Sequence, residues 1–252
     1  MPSLRLLAAA LLAAGLFGGS PAGATPCDTP GDLMTGAARP LPQAARALAT
    51  GTLHILAIGS ASVAGGGGTP EASWPQRMQA ALAARYPNRQ IEVTVRGGRG
   101  VTVAEHLALL QAPYPGVALV VWQAGTVEAA RGLDPDEMSE ALIAGLDRIR
   151  RSGADAVIVD QQFSRFLRAN ANIEPYREKL RMAAIAAGAP LFRRYELMQH
   201  WTETGAVDVE RTPRAERQAA VDRLNDCIGQ GLAQLIAQGM AEARRNGGTV
   251  PR

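Results

Sequence analysis

Serine, glycine and arginine residues occur directly after two apolar segments that have the pattern of buried strands. Ser60 and Ser62 follow the first segment, and Arg96, Gly97 and Arg99 follow the second. A serine hydroxyl acts as a nucleophile when a neighbouring base takes its proton, and a glycine lets a backbone N–H come close to an oxyanion. A guanidinium can hold a carboxylate, sulfate or phosphate. These residue types therefore fit either acyl transfer or the binding of an anion.

Histidine is the usual proton acceptor for a serine nucleophile. The chain contains three histidines, His54, His106 and His200. For Ser62 as nucleophile the candidate base is His200, and the alternative is a His200 that merely packs beside Trp201. The histidines are scattered and only two cysteines accompany them, so their spacing matches no metal-ligand pattern. We therefore predict neither a metal nor a cofactor.

Apolar strand-like segments and amphipathic helical segments alternate along the chain after residue 52. The predicted strands are 53–59, 91–95, 117–122, 156–159 and 190–192, and the predicted helices are 72–85, 101–111, 135–151, 174–187 and 224–243. This alternation is typical of one α/β domain with a parallel sheet and helices on both faces. In such a domain, ligands bind beyond the carboxyl ends of the strands, which is where Ser60 and Gly97 lie.

Four segments at those strand ends and near the last helix form an ordered series. They are Ile58-Gly59-Ser60-Ala61-Ser62, Arg96-Gly97-Gly98-Arg99-Gly100, Trp122-Gln123-Ala124-Gly125-Thr126-Val127-Glu128, and a last segment with Ala220 and Arg223. The series resembles the sequence blocks of the SGNH/GDSL hydrolase family of exported esterases and acyl hydrolases, over about residues 52–240. The resemblance implies a flavodoxin-like three-layer α/β/α sandwich with about five parallel strands.

The resemblance also implies a role for each block. In that family the first block carries the serine nucleophile, the second a glycine N–H for the oxyanion hole, and the third an asparagine for the same hole. The last block supplies a histidine base and the aspartate that orients it. The matching positions are Ala61, Gly97, Val127, Arg223 and Ala220. Only Gly97 keeps its group, because alanine has no nucleophilic oxygen, valine donates no hydrogen bond and a guanidinium accepts no proton.

Three functions stay open at this point. The first is a pseudoenzyme that binds a small or saccharide ligand, or an envelope protein, in the cleft that holds the active site in the family. Its ligand-binding residues would be Ser60, Ser62, Gly97, Arg96, Arg99 and Arg223. The three arginines of that set form an anion trap or are solvated surface side chains. The second function is a weak or repurposed esterase or deacylase that uses Ser62 and His200 on acylated saccharides or short acyl esters. The third is an envelope assembly protein with segment 193–201 as its partner surface, although this segment fits internal packing equally well.

Residues 1–24 have the pattern of a signal peptide. Arg5 precedes a short apolar run over residues 6–17, and Ala22-Gly23-Ala24 has the small residues of a cleavage site. We predict cleavage after Ala24 and a periplasmic or secreted protein with no stable membrane insertion. The remaining chain divides into an N-terminal arm over 25–50, an SGNH hydrolase-like domain over 51–245 and a tail over 246–252.

The composition excludes two classes of protein. Hydrophobic residues make up 47% of the 252 residues, which is too many for a fully disordered chain. The formal net charge of +3 is too balanced for a protein whose main partner is nucleic acid. Cys27 and Cys227 are the only cysteines, and an exported protein meets an oxidising compartment. We therefore predict one disulfide between them, with two unpaired buried thiols as the alternative.

Overall fold

A computed structural model describes residues 27–35, 39–111 and 115–247. The predicted signal peptide and its cleavage site lie outside these residues, as do residues 248–252 of the predicted tail.

Five parallel strands form one sheet. They are β1 (Thr52–Gly59), β2 (Gln90–Gly97), β3 (Val117–Gln123), β4 (Asp155–Val159) and β5 (Leu191–Phe192). Their spatial order is β2-β1-β3-β4-β5, and every adjacent pair is parallel. The order reverses between β1 and β3, so the crevice at their carboxyl ends is the expected ligand position. The predicted flavodoxin-like α/β architecture is confirmed.

Ten α-helices are described, most of them connecting the strands. They are α1 (Gly31–Thr35), α2 (Pro42–Thr50), α3 (Trp74–Arg85), α4 (Val103–Leu109), α5 (Thr126–Arg131), α6 (Pro135–Arg151), α7 (Arg165–Asn170), α8 (Glu174–Ala187), α9 (Arg194–Glu203) and α10 (Arg217–Gly247). Local chemistry sets several ends. The Asp134 side chain accepts a hydrogen bond from Asp136 N at 2.7 Å and Pro135 follows it, which begins α6. Gly188 adopts a left-handed φ of 62° and ends α8.

The sheet separates two apolar layers. Along β1 the side chains of Leu53, Ile55 and Ala57 pack in the layer that contains α2, α3 and α10. Leu56 and Ile58 pack in the opposite layer with α4, α6 and α8. This alternation follows from the period of two along a strand. A strand buried on both faces reads as a continuous apolar run, which is why the sequence reveals β1 and β3.

The last helix begins earlier than predicted. It starts at Arg217 and not at Leu224, because the segment after the short 3₁₀ turn at 214–216 contains good helix formers. Ala220 and Arg223 therefore lie in the first turns of α10, and not in a loop before it. The prediction of a loop for the last block is wrong.

The predicted disulfide is present. Cys27 and Cys227 are bonded, with their Cα atoms 5.4 Å apart. The disulfide attaches the N-terminal segment to α10. A second contact between them is the hydrogen bond from Leu41 N to Gly239 O, at 3.0 Å. Among the described residues, no helix is both long and apolar enough to cross a membrane.

Candidate functional site

The carboxyl end of β1 lies directly beside the carboxyl end of β2. Gly59 pairs with Gly97, and the N–H of Gly98 donates to Gly59 O at 3.1 Å. Gly97 has a φ of 109°, and a Cβ there would overlap the Gly59 carbonyl oxygen. Only glycine fits this close approach of two backbones. The structure thus brings the predicted second block against the first, with Ala61 opening a short 3₁₀ turn at 61–64.

Gln123, the last residue of β3, joins the two serines after β1. Its amide nitrogen donates to Ser60 Oγ at 3.0 Å. Ser62 Oγ hydrogen-bonds to Gln123 Oε1. Since an amide oxygen only accepts, the Ser62 hydroxyl proton points to Gln123. An amide oxygen is not a general base, so Gln123 orients the Ser62 hydroxyl but does not take its proton.

Arg194 approaches Ser62 from the other side. The guanidinium Nη1 donates to Ser62 Oγ at 3.2 Å, and Nη2 lies 3.5 Å from Gln162 Oε1. Arg194 is 1% exposed. Burial lowers the pKa of Arg194 to about 10, and the Asp160 carboxylate opposes that shift, so the side chain stays cationic at neutral pH. The site therefore holds a buried positive charge beside a serine hydroxyl.

Asp160 lies next to this cation at the end of β4. One carboxylate oxygen accepts from Tyr195 N at 2.9 Å. Burial raises the pKa of Asp160 to about 7, and the nearby Glu196 carboxylate also raises it. The Tyr195 N–H and the Arg177 and Arg194 guanidiniums lower it in part. Asp160 is thus a buried acid that titrates close to neutral pH.

Two of the histidines have partners away from the site, whereas His106 also interacts with the Gly59 backbone. His54 Nε2 lies 2.6 Å from Glu92 Oε2, near the amino end of β1. His106 Nδ1 accepts from Trp122 Nε1 at 3.0 Å, and burial lowers the pKa of His106 to about 4. His200 lies in the last turn of α9, and its Nε2 is 3.6 Å from the Asp28 carboxylate. No described hydrogen bond or ion pair of any histidine reaches Ser62.

The remaining predicted positions lie on separate elements. Val127 is half-buried in α5, after Gly125 with a φ of 87°. Arg223 Nε donates to Ala206 O at 3.1 Å, and with Ala220 it lines an open groove of about 560 Å³. Within the described residues, His, Cys, Asp and Glu side chains form no group of three that could hold a metal ion.

A family model supplies the decisive comparison. The model of the Non-GDSL lipase-like family matches residues 26–242. The chain belongs to the Non-GDSL lipase-like family. A search of curated proteins found no match.

Several solved structures share the fold of this family member. TesA has a TM-score of 0.57 and 22% identity, covering 72% of this chain and 99% of TesA. A catalytic mutant of Axe2, an acetylxylan esterase from Geobacillus stearothermophilus, has a TM-score of 0.58 and 14% identity, covering 74% and 95%. The esterase AlinE4 mutant S13A has a TM-score of 0.52 and 20% identity, covering 80% and 98%. At these identities the likeness concerns the fold alone.

In this Non-GDSL lipase-like chain, the sequence predicts some of the residues at the carboxyl edge of the sheet and not others. Ser60 and Ser62 both hydrogen-bond to Gln123, and Gly97 pairs with Gly59, the residue before Ser60. Arg96 is half-buried at the end of β2, whereas Arg99 is exposed in the turn that follows. Gln123 and Arg194 are not among the predicted site residues. Each lies at or just after the end of a predicted strand, and that position is the signal that could have found them.

The 193–201 segment, the predicted partner surface, is partly buried, with Arg193, Glu196, Met198, Gln199 and His200 partly exposed. Arg194, Tyr195, Leu197 and Trp201 are all at most 5% exposed, because α9 packs them against the sheet and the N-terminal segment. These four side chains therefore pack inside the domain, and a role of the partly exposed residues in binding a partner stays a prediction.

The glycine-rich loop after β1 is fixed by α10. Asp222 Oδ1 accepts from Thr69 N at 2.9 Å, and Asn225 Nδ2 donates to Gly65 O at 3.1 Å. The last helix thus reaches the site through its anchoring of this loop.

Proposed function

We propose that this protein is an exported binding member of its family, which does not hydrolyse esters by the serine mechanism. It would bind a small or saccharide ligand, or an envelope partner, at the carboxyl edge of the sheet. The single observation that carries this proposal is Ala61, the residue that the resemblance aligns with the family's serine nucleophile, because alanine has no oxygen to acylate.

The surroundings of Ser62 support the proposal. Its hydroxyl is bonded to the Gln123 amide oxygen and to the Arg194 guanidinium. Neither group takes a proton at neutral pH. His200 is the candidate base for Ser62, but its described ion-pair contact is with Asp28, at 3.6 Å. A serine without a base remains a weak nucleophile.

One observation favours the second candidate function, a weak or repurposed esterase that uses Ser62. A cation beside a hydroxyl stabilises its ionised form, since an opposite charge favours the charged state. Arg194 Nη1 is 3.2 Å from Ser62 Oγ. This function requires a proton acceptor for Ser62, and acylated saccharides or short acyl esters would be its substrates.

Similar structures guide the choice of ligand. Axe2 is described as an acetylxylan esterase and as an acetyl-xylooligosaccharide esterase. An acetylated xylo-oligosaccharide is therefore the first ligand to test here. The second ligand to test is an anionic saccharide, because a guanidinium can hold an anion and the predicted ligand-binding residues include Arg96, Arg99 and Arg223.

The test combines turnover with binding. We expect no hydrolysis of p-nitrophenyl acetate above buffer, and the same result for Ser62→Ala. We also expect the acetylated xylo-oligosaccharide to shift the backbone amide resonances of Ser62, Gly97 and Gly98. Turnover that Ser62→Ala abolishes would establish the esterase. Absence of localised shifts with both the acetylated and an anionic saccharide would refute saccharide binding.

A restoration variant tests the family positions. Ala61→Ser, Val127→Asn and Arg223→His are combined in one protein, with Ala61→Ser alone as control. We expect measurable esterase activity in the triple variant and less in the control. A folded triple variant with no activity would show that these positions are not the equivalents of the family's catalytic residues.

Export is proposed on two grounds. Residues 1–24 have a signal-peptide pattern, and the Cys27–Cys227 disulfide fits an oxidising compartment.

A further inference from the structure

A cavity of about 490 Å³ lies at the amino end of the sheet, opposite the candidate site. It is enclosed by the carboxyl-terminal halves of α6 and α8, the starts of β4 and β5, and the segment that leads into α2. Most of its lining is apolar, including Pro40, Leu146, Ile149, Ala183 and Pro190. Cavities of roughly 300–1,000 Å³ with apolar walls and a few polar groups are typical of small-molecule sites.

The lining contains one carboxylate that has no ion-pair partner among the described residues. Asp155, the first residue of β4, is half-buried, and its Oδ2 accepts from Ala44 N at 2.9 Å. It therefore caps α2, whose own N-cap residue Leu41 makes no side-chain cap. The Gln43 backbone also hydrogen-bonds to this carboxylate. A carboxylate has about four acceptor positions, so these two hydrogen bonds leave capacity for a further donor.

Among the charged residues that line the cavity, Asp155 is the one without a described ion pair. Asp147 pairs with Arg150 at 2.7 Å, on the exposed surface of α6. The charge of Arg46 on α2 lowers the pKa of Asp155 without a described ion pair between them, and Arg46 Nε donates to Pro42 O at 3.3 Å. The lining residues carry two acids and one base, so their net charge is negative.

The walls are held in place independently of any ligand. The segment before α2 is fixed by Leu41 N donating to Gly239 O at 3.0 Å. Ile143 lines the cavity and is 50% exposed, so the cavity reaches solvent beside it. Val159 at the carboxyl end of β4 lies about 13 Å from Asp155 at the usual rise per residue. The cavity is therefore separate from the site around Ser62.

We propose that this cavity is a second binding site, which takes a small apolar molecule bearing a protonated amine. The apolar walls would receive the hydrocarbon part, and the ammonium group would donate to the Asp155 carboxylate. Charge-assisted hydrogen bonds of this kind are stronger than neutral ones.

The test titrates the folded protein with n-hexylammonium, n-hexanol and hexanoate, followed by the methyl resonances of Ile143 and Ile149. We expect saturable shifts at these methyls with affinities in that order. Asp155→Asn retains an acceptor for Ala44 N–H, and we expect it to remove the preference for the amine over the alcohol.

A second pair of variants tests the cavity without touching the carboxylate. Ala186→Trp fills the cavity from an exposed position of α8, and we expect it to weaken hexylammonium binding by about tenfold or more. Met182→Trp, at an exposed position of the same helix outside the lining, is the matched control and should bind as the wild type does. Lack of saturation, equal binding of hexanoate, or unchanged binding in Ala186→Trp would each overturn the proposal.

Discussion

At the scale of single residues, Gln123 determines how the serines after β1 are held. Its amide bonds to Ser60 and Ser62 at once and is 2% exposed. Glutamine can do this because one amide both donates and accepts.

Replacing this amide should cost stability. Gln123→Leu has a similar size but leaves the two serine hydroxyls without their shared partner. We expect the free energy of unfolding to fall by about 1–3 kcal/mol, measured by urea denaturation. Gln230→Leu on the exposed face of α10 is the control, with a change within about 0.5 kcal/mol. Equal effects of the two variants would mean that the Gln123 contacts contribute no net stability.

Asp160 should make stability depend on pH. Its pKa is raised to about 7, so the protonated form is favoured in the folded protein. This contribution is fully present below the ordinary aspartate pKa and is lost as the pH rises to about 7. Asp155, with a pKa raised to about 6, adds in the same direction, whereas the lowered pKa of His106 opposes both between about pH 4 and 6.5.

The comparison with Asp160→Asn isolates this residue. The amide cannot ionise and still accepts from Tyr195 N. We expect the difference in unfolding free energy, variant minus wild type, to increase between pH 4.5 and pH 7.5. A constant difference would contradict a raised pKa for Asp160.

At the scale of elements, the contact between β1 and β2 depends on glycine. Gly97 combines a positive φ with a Cβ position that overlaps the Gly59 carbonyl, whereas Gly98 has open space around its Cβ position. We expect Gly97→Ala to lower the unfolding free energy by more than about 1 kcal/mol. Gly98→Ala should change it by less than about 0.5 kcal/mol. If thermal or urea denaturation gives the reverse order, the described turn is incorrect.

The sequence predicts the long, buried elements better than the short ones. β1 and β3 are recognisable because they are apolar on both faces, and α8 ends as predicted because Gly188 follows it. The short helices α5 and α7 are missing from the prediction, since six residues carry too little periodic signal.

The candidate site is predictable only in part, because some of its contacts join residues that are far apart in the sequence. Positions directly after apolar strands, such as Ser60 and Gly97, follow from topology. The pairing of Ser62 with Arg194 joins residues 132 positions apart. Such a contact depends on the relative placement of β1 and β5, which no local pattern contains.

At the scale of the whole molecule, the Cys27–Cys227 disulfide closes a loop of 200 residues. We expect the double variant Cys27→Ala, Cys227→Ala to lose about 2–5 kcal/mol of unfolding free energy. The measurement is urea denaturation of the oxidised wild type and the variant. A loss below about 1 kcal/mol would mean that the N-terminal segment is held chiefly by packing of α2 against the sheet.

The central claim is that this family member carries no activated serine. Its most direct test is exposure of the purified mature protein to a fluorophosphonate, followed by intact mass and peptide mapping. An active serine esterase of the same fold is labelled in parallel as the control. We expect the control to gain the mass of the probe and this protein to remain unmodified, because Ser62 is bonded to an amide oxygen and a guanidinium. Stoichiometric labelling at Ser60 or Ser62 would contradict the claim and establish a repurposed serine hydrolase.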